Sequence, residues 1–159
     1  QNKVQLVVLS EILVNINNQL ELDLNAVGGQ IWIRYSDFNK EIASVKEYLN
    51  SIFYNIIQNA IKYRSQERKL IIEITLIDLE EYYQIDILDN GEGIGEQYFD
   101  KLFTMFTRFS LINTVEGSGL GLYIVKKQLE KLNGKIKVES EDGKGTKFSI
   151  LLPKKEVTI

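Results

Sequence analysis

The sequence predicts an α/β fold of the α+β kind: a two-layer sandwich in which helices pack on one face of a mixed β-sheet. Three observations carry this. Apolar residues recur at three- and four-residue steps over residues 6–20, 46–63 and 120–132, the spacing of helices that bury one stripe. Residues 70–79, 82–89, 135–140 and 146–152 have the length and the Ile- and Leu-rich patterning of strands. Helical and strand segments are interleaved without repeat, low-complexity tract or linker in 159 residues, the size of one domain with a substantial core.

In chain order, Leu6, Leu9, Leu13, Ile16 and Leu20 form one helix face, with Ser10, Asn15 and Asn18 outward. Residues 21–25 alternate as a short strand, Gly28 and Gly29 turn the chain, and residues 31–35 alternate again. Residues 37–40 lead into the central helix, 46–63, and residues 64–69 form a charged turn after it. The strands 70–79 and 82–89 join at Glu80 and Glu81, and residues 96–109 read as short helical turns. Asn133 and Gly134 stop the helix 120–132. A hairpin, 135–140 and 146–152, follows, and Pro153 ends the domain ahead of a tail.

The central helix organises the chain. Val45, Leu49, Ile52, Ile56 and Tyr63 mark its buried face, and Asn55, Asn59 and Lys62 form a polar stripe along one edge of it. Asparagines beside a buried face lose water and need partners. Two readings fit the stripe: amides bonded to neighbouring backbone, or carbonyl oxygens presented to Mg²⁺ with Lys62 one turn on to meet phosphate.

Three glycine-rich stretches punctuate the plan. Asp89-Asn90-Gly91-Glu92-Gly93-Ile94-Gly95 follows a strand directly, and glycines at alternate positions let backbone lie close to a ligand. Asp89 is placed to accept a hydrogen bond from an amino group such as adenine N6; a plain hairpin is the alternative. Glu116-Gly117-Ser118-Gly119-Leu120-Gly121-Leu122 opens a helix, where free N–H groups suit phosphate oxygens and a hinge loop is the alternative. Its spacing is not that of a dinucleotide fingerprint, and no Walker loop occurs in the chain. Gly143-Lys144-Gly145-Thr146 reads by itself as turn chemistry.

Composition removes whole classes of chemistry. There is no cysteine, which excludes disulfides, thiolate catalysis and the usual structural zinc sites and fits a cytosolic setting. There is no histidine either, which removes the commonest general base and most transition-metal sites. A net charge of −3 argues against a broad nucleic-acid surface, and no apolar run has the length of a membrane span. The first residue is Gln1 and the only methionine is Met105, as expected of a fragment cut from a longer parent.

Taken together, these motifs resemble the catalytic and ATP-binding domain of bacterial sensor histidine kinases. Asn55-Ile-Ile-Gln-Asn59-Ala-Ile-Lys62-Tyr63 is similar to their N box, Asp89 to Gly95 to the first glycine box, and Phe103-Thr-Met-Phe106 to the F box. Gly117 to Leu122 is similar to the second glycine box, and Gly143 to Thr146 to the terminal Gly-Thr element. The motifs occur in the family's order and span essentially the whole chain, read as one domain, 1–159.

The resemblance implies the Bergerat fold shared with DNA gyrase, mismatch-repair ATPases and heat-shock chaperones. It also implies roles for individual residues. Asp89 would bind the adenine amino group, with Thr146 helping through a water and Gly93 keeping the approach clear. Gly91 and Gly95 belong to the same loop. Asn59 would be the main Mg²⁺ ligand, and Asn55 a second ligand or an orienter of metal-bound water. Lys62 would contact phosphate and Tyr63 flank the nucleotide. Residues 96–118 would be an ATP lid, mobile until nucleotide binds. Phe103 and Phe106 would anchor one of its ends, and Gly117, Gly119, Leu120, Gly121 and Leu122 would close the other. Arg108 is either a lid cation reaching the γ-phosphate or a solvated charge.

The implied activity is protein-histidine kinase, with ATP and Mg²⁺ as cofactors and Asn55, Lys62 and Arg108 in catalytic positions. The acceptor histidine would lie on an upstream dimerisation domain absent from this chain. The implied partners are that domain and a downstream response regulator, with no nucleic acid and no membrane insertion by this fragment. The implied location is the cytoplasm, whether or not the parent carries a membrane anchor. Two rivals stand: an ATP hydrolase of the same fold, and a nonenzymatic nucleotide-binding regulator. In the hydrolases the position four before the Mg²⁺ asparagine is a glutamate base; here it is Asn55, which cannot take a proton at neutral pH. Related serine kinases of anti-sigma pathways are a more distant third.

Overall fold

The computed structural model describes residues 3–104 and 120–155. The chain runs β1 (Val4–Val8), α1 (Leu9–Val27), β2 (Gln30–Ile33), a 3₁₀ turn at Tyr35–Phe38, β3 (Glu41–Val45) and α2 (Lys46–Lys62). It continues with β4 (Ile71–Asp78), β5 (Tyr82–Asp89), a second 3₁₀ turn at Glu96–Lys101, α3 (Gly121–Lys131), β6 (Lys135–Glu141) and β7 (Gly145–Pro153). The main sheet has five strands in the order β2-β4-β5-β7-β6; β2 is parallel to β4 and the other pairs are antiparallel. The helices pack on this mixed sheet, as the sequence predicts.

The core lies between the layers. Ile72 and Ile74 of β4, Ile85 and Ile87 of β5, and Phe148, Ile150 and Leu152 of β7 alternate inward and are buried. Ile16 and Leu20 of α1, Leu49, Ile52, Phe53 and Ile56 of α2, and Val125 and Leu129 of α3 meet them at helical spacing. Burying each such side chain contributes roughly 1.5–3 kcal/mol. On the opposite sheet face Glu73, Leu88 and Glu139 are exposed and Lys147 pairs with Glu139 at 2.9 Å, while Asp86, Ser149 and Leu151 are buried among their neighbours.

Three local expectations are corrected. Residues 21–25 are not a strand but the last turns of α1. Leu20 and Leu24 continue the buried stripe at a four-residue step, while Leu22, which a strand would place beside Leu24, is 83% exposed. Gly28 ends the helix in the left-handed region at φ 67°, and the Gly29 N–H donates to the Leu24 carbonyl. Leu6 does not begin α1; it lies in β1, which pairs antiparallel with β3 as a small second sheet. That pairing joins segments far apart in sequence, so local periodicity carries no trace of it. Pro153 does not follow the last strand but closes it opposite Tyr82, and Lys154 N–H continues to the Glu81 carbonyl.

The boundaries of β2, α2, β4, β5, α3, β6 and β7 follow the sequence reading within a residue or two, whereas β3 is absent from that reading and holds Val45, which it had placed on the face of the central helix. Asn133 takes a positive φ of 56° after α3 and Gly134 N–H reaches back to the Leu129 carbonyl, the stop expected there.

Candidate functional site

α2 carries the polar stripe to the same end of the sheet as the first glycine loop. Asn55 and Asn59 are half-buried and Lys62 is exposed beyond them. Asn55 spends its amide nitrogen on its own helix, donating to the Ser51 carbonyl at 2.8 Å and to the Ser51 hydroxyl at 3.2 Å. Both readings of the stripe meet in this residue, because fixing Nδ2 on backbone turns Oδ1 outward as an acceptor.

That oxygen points at the start of α3. A Cβ placed on Gly121 would lie 3.3 Å from Asn55 Oδ1, so a glycine eases the approach of the two helices here. The residue before α3, Leu120, offers no side-chain cap, and the first N–H groups of the helix have no intrahelical acceptor. Leu122 is buried in the core, which leaves its backbone, not its side chain, on the site.

The end of α2 touches the first glycine loop directly. The Tyr63 carbonyl accepts the Glu92 N–H at 3.0 Å, and a Cβ on Gly91 would come within 2.7 Å of that carbonyl oxygen. At the C-terminal end of β5, Asp89 lies opposite Thr146 of β7. Its carboxylate accepts the Gly91 N–H at 2.9 Å and is also bonded by the Thr146 N–H. Burial pushes this carboxyl up to about 6, against the pull of those two donors and of the nearby Arg68 charge.

The loop from Gly91 to Gly95 rests on the β6–β7 hairpin. Gly93 has φ 77°, and a Cβ there would fall 2.2 Å from the Glu141 carbonyl oxygen. Gly145 is tighter still: with φ 134°, its Cβ would sit 2.0 Å from the carbonyl oxygen of Asp89. Gly95, at the loop's end, faces the Gln97 side chain. Asn55, Asn59, Lys62 and Tyr63 thus follow one another along the second half of α2 and its cap. This stretch touches the start of α3 (Leu120, Gly121, Leu122) through Asn55 and the loop of Gly91, Gly93 and Gly95 through Tyr63, while Asp89 and Thr146 face each other where that loop leaves β5. Phe106, Arg108, Gly117 and Gly119 lie outside the described residues. So does the stretch from residue 105 within the segment 96–118; its beginning is the 3₁₀ turn, after which Phe103 packs edge-on against Phe148 at 6.4 Å.

Sequence reasoning missed three residues that shape the site. Ser140 accepts the Ile94 N–H at 2.7 Å, donates to the Gly145 carbonyl at 2.8 Å, and lies 2.8 Å from the Thr146 hydroxyl. A polar residue in the inward register of Ile136 and Val138 was its signal. Asn90 brackets the edge of β4, accepting Ile71 N–H and donating to the Lys69 carbonyl, both at 2.9 Å. Arg68 reaches the loop from the charged turn after α2, and nothing in the local pattern sets it apart.

A cleft of about 360 Å³ runs along the same loop, walled by Arg68, Glu92, Gly93, Gly95, Tyr98 and Gly143. Its walls include neither Asn55 nor Asp89, so it borders the converging polar groups rather than enclosing them.

The donor set fits a hard divalent cation arriving with a polyphosphate. An amide oxygen such as that of Asn55 is a suitable ligand but one is too few, and no cluster of three or more His, Cys, Asp or Glu side chains exists among the described residues to complete a shell. Phosphate oxygens and water would supply the remainder. Among the described residues no helix is long and apolar enough to cross a membrane.

Comparison with known proteins bears on this arrangement. The profile of the family described as histidine kinase-, DNA gyrase B-, and HSP90-like ATPase matches residues 44–156. The chain is 32% identical over 146 residues to the sensor protein RprX of Bacteroides fragilis, covering 91% of this chain and 28% of that protein. It is 31% identical over 141 residues to the sensor histidine kinase ZraS of Escherichia coli, covering 87% of this chain and 29% of that one. The chain thus spans under a third of the length of these relatives. The fold is similar to that of the mycobacterial sensor histidine kinase MprB, with a TM-score of 0.79 at 22% identity over 97% of this chain and 99% of that structure.

Proposed function

The chain belongs to the family of histidine kinase-, DNA gyrase B- and HSP90-like ATPases, as an ATP-binding catalytic domain of the sensor histidine kinase type, and from that premise we propose that it transfers the γ-phosphate of ATP to a histidine on another domain of its parent. A response regulator would then take the phosphoryl group onward. The observation that carries this reading is that one helix, α2, touches both the start of α3, through Asn55 beside Gly121, and the loop after Asp89, through the Tyr63 carbonyl.

In this reading each end of the nucleotide has its own partners. The Asp89 carboxylate accepts the adenine amino group, and the glycine loop lets the base approach backbone. Tyr63 flanks the nucleotide, and the N–H groups at the start of α3 face the phosphates, with Lys62 adding a cation. Mg²⁺, held by the Asn59 and Asn55 carbonyl oxygens, would supply charge neutralisation at the phosphates. An imidazole nitrogen of the acceptor attacks the γ-phosphorus as the bond to the bridging β–γ oxygen breaks, leaving ADP. Such transfer asks for positioning and charge stabilisation more than for a base.

Asn55 favours this reading over ATP hydrolysis. Its amide nitrogen is committed to Ser51, its oxygen is an amide acceptor with no affinity for a proton at neutral pH, and water attack would go without a base. The test supplies γ-labelled Mg-ATP and the parent's histidine-bearing domain in trans. Acid-labile, base-stable label on that domain supports the kinase reading. Vigorous release of inorganic phosphate with no label on the domain supports the hydrolase.

A further inference from the structure

We propose that Arg68 is a positioning residue for base recognition, acting through the loop that orients Asp89. This rests on the nucleotide reading above and adds to it a residue that no motif contains. The geometry carries it. Arg68 Nε donates to the Asn90 carbonyl at 2.6 Å, and Nη2 donates to the Gly91 carbonyl at 2.7 Å and the Gly143 carbonyl at 2.8 Å. One planar guanidinium thus ties the turn after α2 to both the first glycine loop and the β6–β7 turn. A point-charge ammonium on a flexible stem cannot span three acceptors in this way.

The choice of partners is informative. Glu67, Glu92 and Asp142 line the same cleft, yet the three hydrogen bonds go to backbone carbonyls. The carbonyls held are those of Asn90 and Gly91, immediately after Asp89. Holding them aims the Gly91 N–H at the Asp89 carboxylate, 2.9 Å away. The Arg68 charge also acts on that carboxylate, favouring its ionised, acceptor-only form against burial.

The loop does not depend on Arg68 to form. Glu92 N–H bonds to the Tyr63 carbonyl, Gly143 N–H bonds to the Glu92 carbonyl at 2.6 Å, and Asn90 brackets β4. Removing the guanidinium should therefore loosen the placement of the loop without unfolding the domain.

The test titrates the 159-residue chain with ADP and with GDP in excess Mg²⁺, comparing wild type, Arg68→Ala and Arg68→Lys. Arg68→Ala is expected to weaken ADP binding about tenfold, the scale of losing charge-assisted hydrogen bonds, and to narrow the preference for ADP over GDP. Arg68→Lys recovers part of both. Amide exchange in the ligand-free proteins supplies a second readout, with Gly91 and Glu92 exchanging faster in Arg68→Ala while β5 and β7 stay protected. A merely structural role would lower stability without changing base preference. ADP affinity and preference equal to wild type in Arg68→Ala would overturn the role of Arg68 alone. A wild-type chain that binds neither nucleotide would overturn the nucleotide reading and this role with it.

Discussion

Asn55 Oδ1 and the Cα of Gly121 approach so closely that a β-carbon on Gly121 would stand 3.3 Å from that oxygen. A methyl group at Gly121 would press on the Asn55 amide by a few tenths of an ångström, at the place proposed for the phosphate end of the site. Gly121→Ala separates packing from binding. Alanine favours a helix by up to about 1 kcal/mol over glycine, so thermal stability should hold or rise slightly. Affinity for Mg-ADP by calorimetry should fall, because the methyl group displaces Asn55. Unchanged affinity would remove the start of α3 from the site.

Asp89 gives a pH dependence with a definite sign. Its carboxyl stands at about 6 in the folded chain against an ordinary 3.8, so the folded state favours the protonated form. The resulting stabilisation is fully present below the lower value and is lost as pH rises through the upper one. Two units correspond to about 3 kcal/mol as an upper figure. Asp89→Asn, which cannot ionise, should therefore be more stable than wild type at pH 7, by about 1–2 kcal/mol once weakened bonds to Gly91 and Thr146 are allowed for. The advantage should vanish below pH 4 in denaturant titrations.

The same substitution should harm nucleotide binding. A charge-assisted hydrogen bond to the adenine amino group would be replaced by an amide that can present its NH₂, a loss of about 2–3 kcal/mol. In wild type, affinity should rise as pH passes upward through the Asp89 transition. More stable but blind to ADP is the combined signature to look for.

Asn59→Ala separates the metal reading from a core reading of the stripe. Alanine is the better helix former, so stability should change little while Mg²⁺-dependent nucleotide affinity falls. A drop of many degrees in unfolding temperature with unchanged Mg²⁺-dependent affinity would assign the stripe to packing.

Two glycines of the last turn should behave differently. Gly143 has φ 84° but open space around its missing side chain, whereas Gly145 has backbone 2.0 Å from any Cβ. Gly143→Ala should cost about 1 kcal/mol for its backbone conformation alone. Gly145→Ala must also push β7 from β5 at Asp89, and should cost about 3 kcal/mol or more. Equal losses in chemical denaturation would contradict the close contact.

What could be read from the chain divides along a physical line. α2, α3 and the hairpins were legible because burial imposes a period on neighbouring residues, as in Leu49, Ile52 and Ile56. The small sheet was not, because Val4 pairs with Val45 and neither strand announces the other. At Leu22 and Leu24 a short alternation imitated a strand inside a helix, and only burial and the Gly28 stop separate the two. The site was legible where glycine or asparagine stood in an unusual pattern. Ser140 offered only a polar residue in an inward register and Arg68 no pattern at all, since their role lies in backbone groups brought up by the fold.

The most direct test of the central claim, one nucleotide site shared by α2, β5 and α3, is NMR titration of the isotope-labelled chain with Mg-ADP. The account predicts concerted shifts at the Asn55 and Asn59 side-chain amides and at the backbone amides of Gly91, Gly93, Gly121 and Thr146, saturating with one affinity. Shifts confined to the opposite sheet face around Trp32, Leu88 and Glu139, or saturation of these groups at separate affinities, would contradict it.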